Sequence, residues 1–101
     1  MERDYFKDRP IESTKINCIK KNMEVFICLK SMQKWAEDIE DLHRGYVTEI
    51  LTKHDHTAGI KVKVRLVSND MEYVGRVVYI VQDGLILTKD GLKEESKVNP
   101  K

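Results

Sequence analysis

The residues best suited to chemistry in this sequence are cations that alternate with aliphatic residues between positions 59 and 66. Side chains along a β-strand point to opposite faces in turn, so this stretch predicts a strand with one aliphatic and one cationic face. The cationic face carries Lys61, Lys63 and Arg65. Clustered cations of this kind bind phosphate groups, and we therefore predict a nucleic-acid surface here.

The neighbouring predicted strands offer further groups for such a surface. Arg76 adds a fourth cation, and single-stranded RNA stacks its bases on exposed aromatic rings. The tyrosines that flank the cations on adjacent strands are Tyr46, Tyr73 and Tyr79. The other interpretation is an ordinary solvated sheet face, on which Glu49 and Glu72 pair with the cations across strands.

The histidines have too few other potential ligands near them in the sequence to form a metal site. His54 and His56 would share a strand face on either side of Asp55, but a three-ligand site needs a further well-placed donor. We expect His56 to help close the loop ahead of Gly59. The spacing of serine, cysteine, histidine and acid fits no nucleophilic centre, and the sequence has no glycine-rich phosphate loop. We therefore predict no catalytic residue, no metal and no cofactor.

The composition is that of a small, well-charged domain. The chain has 101 residues, of which 41% are hydrophobic and 35% charged, with a net charge of +1. This length suits one domain with one modest core. No apolar run approaches the roughly 20 residues of a membrane span, and the charged N-terminus lacks the apolar core of a secretory signal. We expect a cytoplasmic protein with no membrane partner.

The alternation of apolar residues and turn signals predicts five short strands. They fall at residues 23–29, 46–52, 59–67, 73–81 and 85–88, with turns such as Asp83-Gly84 between them. Closing such strands into a barrel removes exposed sheet edges. We predict an all-β protein, a five-stranded SH3-like barrel over residues 16–91. Residues 1–15 are expected to form a flexible lead-in and residues 92–101 a flexible tail.

In the segment between the first two predicted strands, the spacing of apolar residues changes from that of a strand to that of a helix. Apolar residues three or four apart predict a helix of about three turns over residues 31–42, inserted in the first long loop. Its stripe consists of Met32, Trp35, Ala36, Ile39 and Leu42. The stripe either covers an open end of the barrel or binds a protein partner through Met32, Trp35 and Ile39. The first is favoured, because so short a helix needs docking to persist.

Four blocks of residues carry a resemblance to a known family. They are Ile19-x-x-Asn22-Met23-x-Val25-x-Ile27, Arg44-Gly45-x-Val47-x-x-Ile50-Leu51-Thr52, His56-x-x-Gly59-Ile60-Lys61-Val62 and Val74-Gly75-Arg76-Val77-x-x-Ile80. Over residues 16–81 the chain resembles the YwbE-like small proteins, whose function is not established. That family usually has Gly at the position of Asn22 and Pro at that of Thr57. The resemblance implies a strand layout and little about function.

Two functions remain open at this point. The leading hypothesis is a non-enzymatic binding module for RNA or an RNA-containing assembly. The rival is a protein-interaction module that uses the Trp35 helix or an exposed sheet edge. Salt dependence distinguishes them, because phosphate binding weakens steeply with salt and apolar docking does not.

Overall fold

A computed structural model describes residues 9–32 and 39–98, and β-strands make up most of that part of the chain. The strands are β1 (Glu24–Leu29), β2 (His43–Ile50), β3 (Lys61–Leu66), β4 (Glu72–Gln82), β5 (Leu85–Thr88) and β6 (Gly91–Lys93). The helical elements among the described residues are short 3-10 turns at Ile11–Thr14, Ile16–Cys18, Lys30–Met32, Ile39–Asp41 and Glu95–Lys97.

The first four strands close into a barrel. Each is antiparallel to the next, and β4 also pairs with β1, which completes the circle. β5 and β6 extend the sheet from the far end of β4. The prediction of a small all-β barrel is confirmed. The sixth strand was not predicted, because Gly91-Leu92-Lys93 is too short to show alternation and Asp90-Gly91 resembles a terminating turn.

The barrel interior is filled by aliphatic side chains from every barrel strand. Its buried members are Ile19, Val25, Ile27, Val47, Ile60, Val62, Val64, Leu66, Val77 and Ile80. The aliphatic half of β3 therefore points inward, as the alternation predicted. The opposite half must then lie on the outer surface, which fixes where the cations of this strand stand.

A second apolar cluster covers part of the barrel's outside. Its buried members are Phe26, Cys28, Ile39, Leu42, Val78, Tyr79, Ile86 and Val98. A β-bulge in β4 makes this possible, since Phe26 pairs with Tyr79 and the next residue, Ile27, pairs with Val77. Val78 is the extra residue at the bulge, so four successive side chains of β4 are buried, two on each side of the sheet.

The predicted helix over residues 31–42 is described only at its two ends, and each end is a 3-10 turn. Residues 33–38, with Trp35 and Ala36, lie outside the described residues. Of the rest of the stripe, Ile39 and Leu42 are buried in the second cluster and Met32 packs against it half-buried. These side chains cover the outer side of β1 and β4, so they are not an exposed surface for a protein partner.

The domain extends beyond the predicted range of 16–91 on both sides. Ser13 is fully buried, and its carbonyl oxygen accepts a 2.9 Å hydrogen bond from the backbone N–H of Ile60. The Arg9 guanidinium donates to the backbone oxygens of Val77 (2.7 Å) and Ala58 (3.2 Å). At the other end, Val98 is buried in the second cluster. Residues 9–15 and 92–98 therefore each contribute buried residues to the domain.

Candidate nucleic-acid interface

Three cations stand in line on the outer face of β3. Lys61 and Arg65 are exposed and Lys63 is half-exposed, while Val62 and Val64 between them are buried in the barrel. Side chains two apart on a strand are separated by about 6–7 Å, so the row spans about 13 Å. The predicted cationic face of this strand is thus present on the barrel surface.

The flanking strands place an aromatic ring and a fourth cation beside this row. Tyr46 on β2 pairs with Arg65, and Arg76 on β4 pairs with Lys61. Directly opposed residues in a sheet point to the same side, with Cβ atoms about 5 Å apart. We call the outward side chains of Tyr46, Lys61, Lys63, Arg65 and Arg76 the basic face. Tyr46 keeps 48% of its surface exposed, so its ring is open to solvent.

Arg76 serves the fold as well as the basic face. Its Nη1 donates a 3.0 Å hydrogen bond to the backbone oxygen of Gly59, and its side chain is half-buried. Val62 lies opposite Gly75, next to the pairing of Lys61 with Arg76. The His56-x-x-Gly59-Ile60-Lys61-Val62 and Val74-Gly75-Arg76-Val77 blocks are therefore neighbours in space. Their glycines are required by close backbone packing, and Lys61 and Arg76 are the cations that they place on the outer face.

Two of the three predicted tyrosines do not lie on the basic face. Tyr79 is fully buried in the second cluster, because the bulge at Val78 turns it toward the covered side of β4. Tyr73 pairs with Val64, packs against the barrel interior and lies with its ring tilted against that of His43, at a centroid distance of 5.7 Å. The prediction that these rings are available for stacking is wrong for Tyr79, and Tyr73 faces inward.

The cations of β3 differ in their partners. Lys63 Nζ lies 3.9 Å from Glu49 Oε2 on β2, an exposed pair of the kind that contributes at most about 1 kcal/mol. Within residues 9–32 and 39–98, neither Lys61 nor Arg65 forms an ion pair. In the described part of the chain, Arg65 forms no ion pair even though Glu72 stands directly opposite on β4. These two side chains are therefore free to bind an external anion.

Sequence reasoning missed two polar groups that border this face. Arg44 lies two residues before Tyr46 and forms a hydrogen-bonded ion pair with Glu24. The hydrogen bond raises the pKa of the Arg44 guanidinium. Thr48 sits at a bulge between the paired residues Val47 and Glu49 and donates a 3.2 Å hydrogen bond to Glu72 Oε2. Strand pairing decides both contacts, and no local pattern in the sequence encodes that pairing.

The His54-Asp55-His56 segment ties the loop before β3 to the N-terminal turns. Asp55 Oδ1 accepts a 2.9 Å hydrogen bond from the backbone N–H of Ile16, and Lys15 Nζ lies 3.5 Å from Asp55 Oδ2. His56 Nδ1 accepts from the backbone N–H of Ala58 at 3.1 Å. In the described part of the chain, no group of three or more His, Cys, Asp and Glu residues could hold a metal ion.

Asp55 gives the fold an acid-sensitive contact. The N–H of Ile16 and the charge of Lys15 lower the pKa of this carboxyl. A lowered folded-state pKa contributes stability above the unfolded-state value, about 3.9, and this contribution is lost as pH falls through the folded-state value. We expect Asp55→Asn to lower the melting temperature at neutral pH, by an amount that shrinks below about pH 4. Melting curves across pH test this, with Asp83→Asn in the exposed β4–β5 turn as control; an unchanging difference would contradict it.

Taken together, these observations define a small closed β-barrel with one basic strand face. The chain belongs to a family described as an uncharacterized conserved protein (DUF2196), whose sequence model matches residues 12–80. The match runs from the first 3-10 turn to near the end of β4, and so it includes the whole basic face. Neither a curated protein nor a solved structure matches the chain. Among the described residues, none of the helices has the length and apolar character needed to cross a membrane.

Proposed function

We propose that the protein is a non-enzymatic binding module that contacts RNA, or an RNA-containing assembly, through its basic face. The observation that supports this most directly is the line of three outward cations on β3 with the exposed ring of Tyr46 beside it. Cations on a strand engage phosphates, and an exposed ring stacks a base. We also propose a cytoplasmic location and a place among the YwbE-like proteins, both on the sequence patterns described above.

Single-stranded RNA suits this face better than a duplex. The spacing of about 6–7 Å between successive cations is similar to that of phosphates along an extended strand. Tyr46 stands beside Arg65 at one end of the row, so a base can leave the backbone there and stack. A duplex keeps its bases stacked on each other and gives such a ring nothing to hold. The row follows the backbone without identifying the sequence.

The primary test is a titration of mixed-sequence single-stranded RNA at two salt concentrations. Neutralising Z phosphates of a single strand gives a slope of about −0.7 Z for log K against log salt. Three or four contacts therefore predict weak binding with a slope of about −2 to −3. Binding that does not change with salt would contradict a phosphate-based interface.

The charge-reversal variant Lys63→Glu/Arg65→Glu should lower the affinity about tenfold or more at low salt, because it replaces two phosphate contacts with repulsion. The fold should be retained, since exposed substitutions rarely cost more than about 0.5 kcal/mol. The matched control is Lys89→Glu/Lys97→Glu, which makes the same change in net charge at exposed positions near β5 and β6. If both variants lose affinity equally, or if wild type binds no better than the reversal, the basic face is not the RNA site.

The rival function has one observation in its favour. β6 pairs only with β5 among the described strands, so its outer edge presents unpaired backbone groups, and Leu92 on it is 43% exposed. Such an edge can accept an extended peptide as a further strand. A protein that binds no RNA at low salt and is captured by a partner regardless of salt would favour this function. The Trp35 part of the rival hypothesis lies outside the described residues.

A further inference from the structure

The carboxylate of Glu72 occupies an unusual place on the outer face. Glu72 belongs to β4 and stands opposite Arg65, yet it forms no ion pair with that arginine in the described part of the chain. Its Oε2 instead accepts a 3.2 Å hydrogen bond from the Thr48 hydroxyl on β2. Because β3 lies between β2 and β4, the side chain of Glu72 crosses over β3 to make this contact.

This contact brings an acceptor next to the exposed aromatic ring of the basic face. Thr48 is two residues after Tyr46, and its hydroxyl meets Glu72 on the outer side of the sheet, where Tyr46 also lies, opposite Arg65. The Thr48 hydroxyl also lies 3.1 Å from the backbone oxygen of Lys63, so its one proton is shared between that oxygen and Glu72. The other oxygen of the Glu72 carboxylate has no partner among the described residues.

We infer that the face prefers bases that carry an exocyclic amino group over uracil, with Glu72 as the acceptor that selects them. A carboxylate only accepts hydrogen bonds, so it pairs with the amino group of cytosine, adenine or guanine. Uracil presents a carbonyl oxygen where cytosine has its amino group, so a carboxylate that faces this position is repelled by uracil, whose one donor on that edge is the neighbouring ring N3–H. This inference rests on the proposed function, because Tyr46 must first hold a base.

Glu49 provides the contrast that makes the role of Glu72 specific. Both are exposed glutamates beside β3, but Glu49 pairs with Lys63 at 3.9 Å, whereas Glu72 forms no ion pair with the opposite Arg65 among the described residues. Glu49 therefore competes with phosphate for Lys63, which affects every RNA sequence equally. Glu72 is placed to contact a base, which affects sequences unequally.

The test compares oligocytidine and oligouridine of equal length at neutral pH and fixed salt, because the two have the same charge and ring size. Wild type should bind oligocytidine about five- to tenfold more tightly. Glu72→Gln should bring this ratio close to one, since the amide of glutamine both donates and accepts and so serves either base. Glu49→Gln should raise both affinities by the same factor and leave the ratio unchanged.

The outcomes separate the inference from the proposal on which it rests. If neither oligonucleotide binds at low salt, the proposed RNA function fails and the inference fails with it. If both bind with equal affinity, or if Glu72→Gln keeps the wild-type ratio, the RNA function stands and the assignment of Glu72 is overturned. Melting temperatures of the two variants confirm that each remains folded, as expected for exposed positions.

Discussion

A Val62→Asp protein is expected to be unfolded under conditions in which the wild type is folded. Val62 has no exposed surface and pairs with Ile50 on β2 and Gly75 on β4, in the middle of the barrel. An isolated carboxylate there has neither water nor a partner, which costs several kcal/mol against a total stability of about 5–15 kcal/mol. Circular dichroism and a thermal melt measure the loss of the cooperative transition.

The control is the same substitution at a valine that follows the same strand. Val67 comes just after β3 and is 54% exposed, so Val67→Asp should change the melting temperature by only a few degrees. A Val62→Asp protein that melts like the wild type would mean that β3 has the opposite register. In that case the cations would point into the barrel, and the basic face would not exist.

The register of β3 was predictable because it depends on one local pattern. Alternation with a period of two places Val62 and Lys63 on opposite faces whichever strands pair with it. The closure of the barrel was harder to predict from the sequence, since it requires β1 to pair with β4, about fifty residues later in the chain. The bulge at Val78 is decided by that pairing, and it turns Tyr79 from the barrel interior, where alternation with Val77 would place it, to the covered outer side of β4.

The candidate site likewise has one part that a local sequence pattern predicts and another part that long-range strand pairing decides. The cationic row of β3 and the two glutamates beside it follow from the sequence alone, whereas the partner that each glutamate takes does not. That Glu49 pairs with Lys63 and Glu72 with Thr48 depends on where β2 bulges against β3. A bulge shifts the facing residues by one, so cross-strand partners guessed from strand lengths alone are unreliable.

Gly59→Ala is expected to destabilise the protein by about 3–5 kcal/mol, for two separate reasons. The residue has a φ of +102°, in a region that side-chain-bearing residues rarely adopt. A Cβ atom there would also overlap the backbone oxygen of Val77 and lie 2.7 Å from Arg9 Nη2. Because Val77 is fixed in β4, the overlap can be relieved only by displacing the loop that Arg9 and Arg76 hold against the barrel.

Substitutions at two other glycines measure the effects of backbone strain and of Cβ overlap separately. Gly91 has a φ of +110°, but a Cβ atom added there would meet no described atom within 4 Å, so Gly91→Ala tests the backbone strain alone, at about 1–2 kcal/mol. Gly75 has no positive φ, but a Cβ there would come 2.6 Å from the Cys28 oxygen, so Gly75→Ala tests the overlap alone. Denaturant unfolding of the three variants should rank Gly59→Ala as the least stable. If it is no less stable than Gly91→Ala, the close approach of residue 59 to β4 and to Arg9 contributes nothing to the fold.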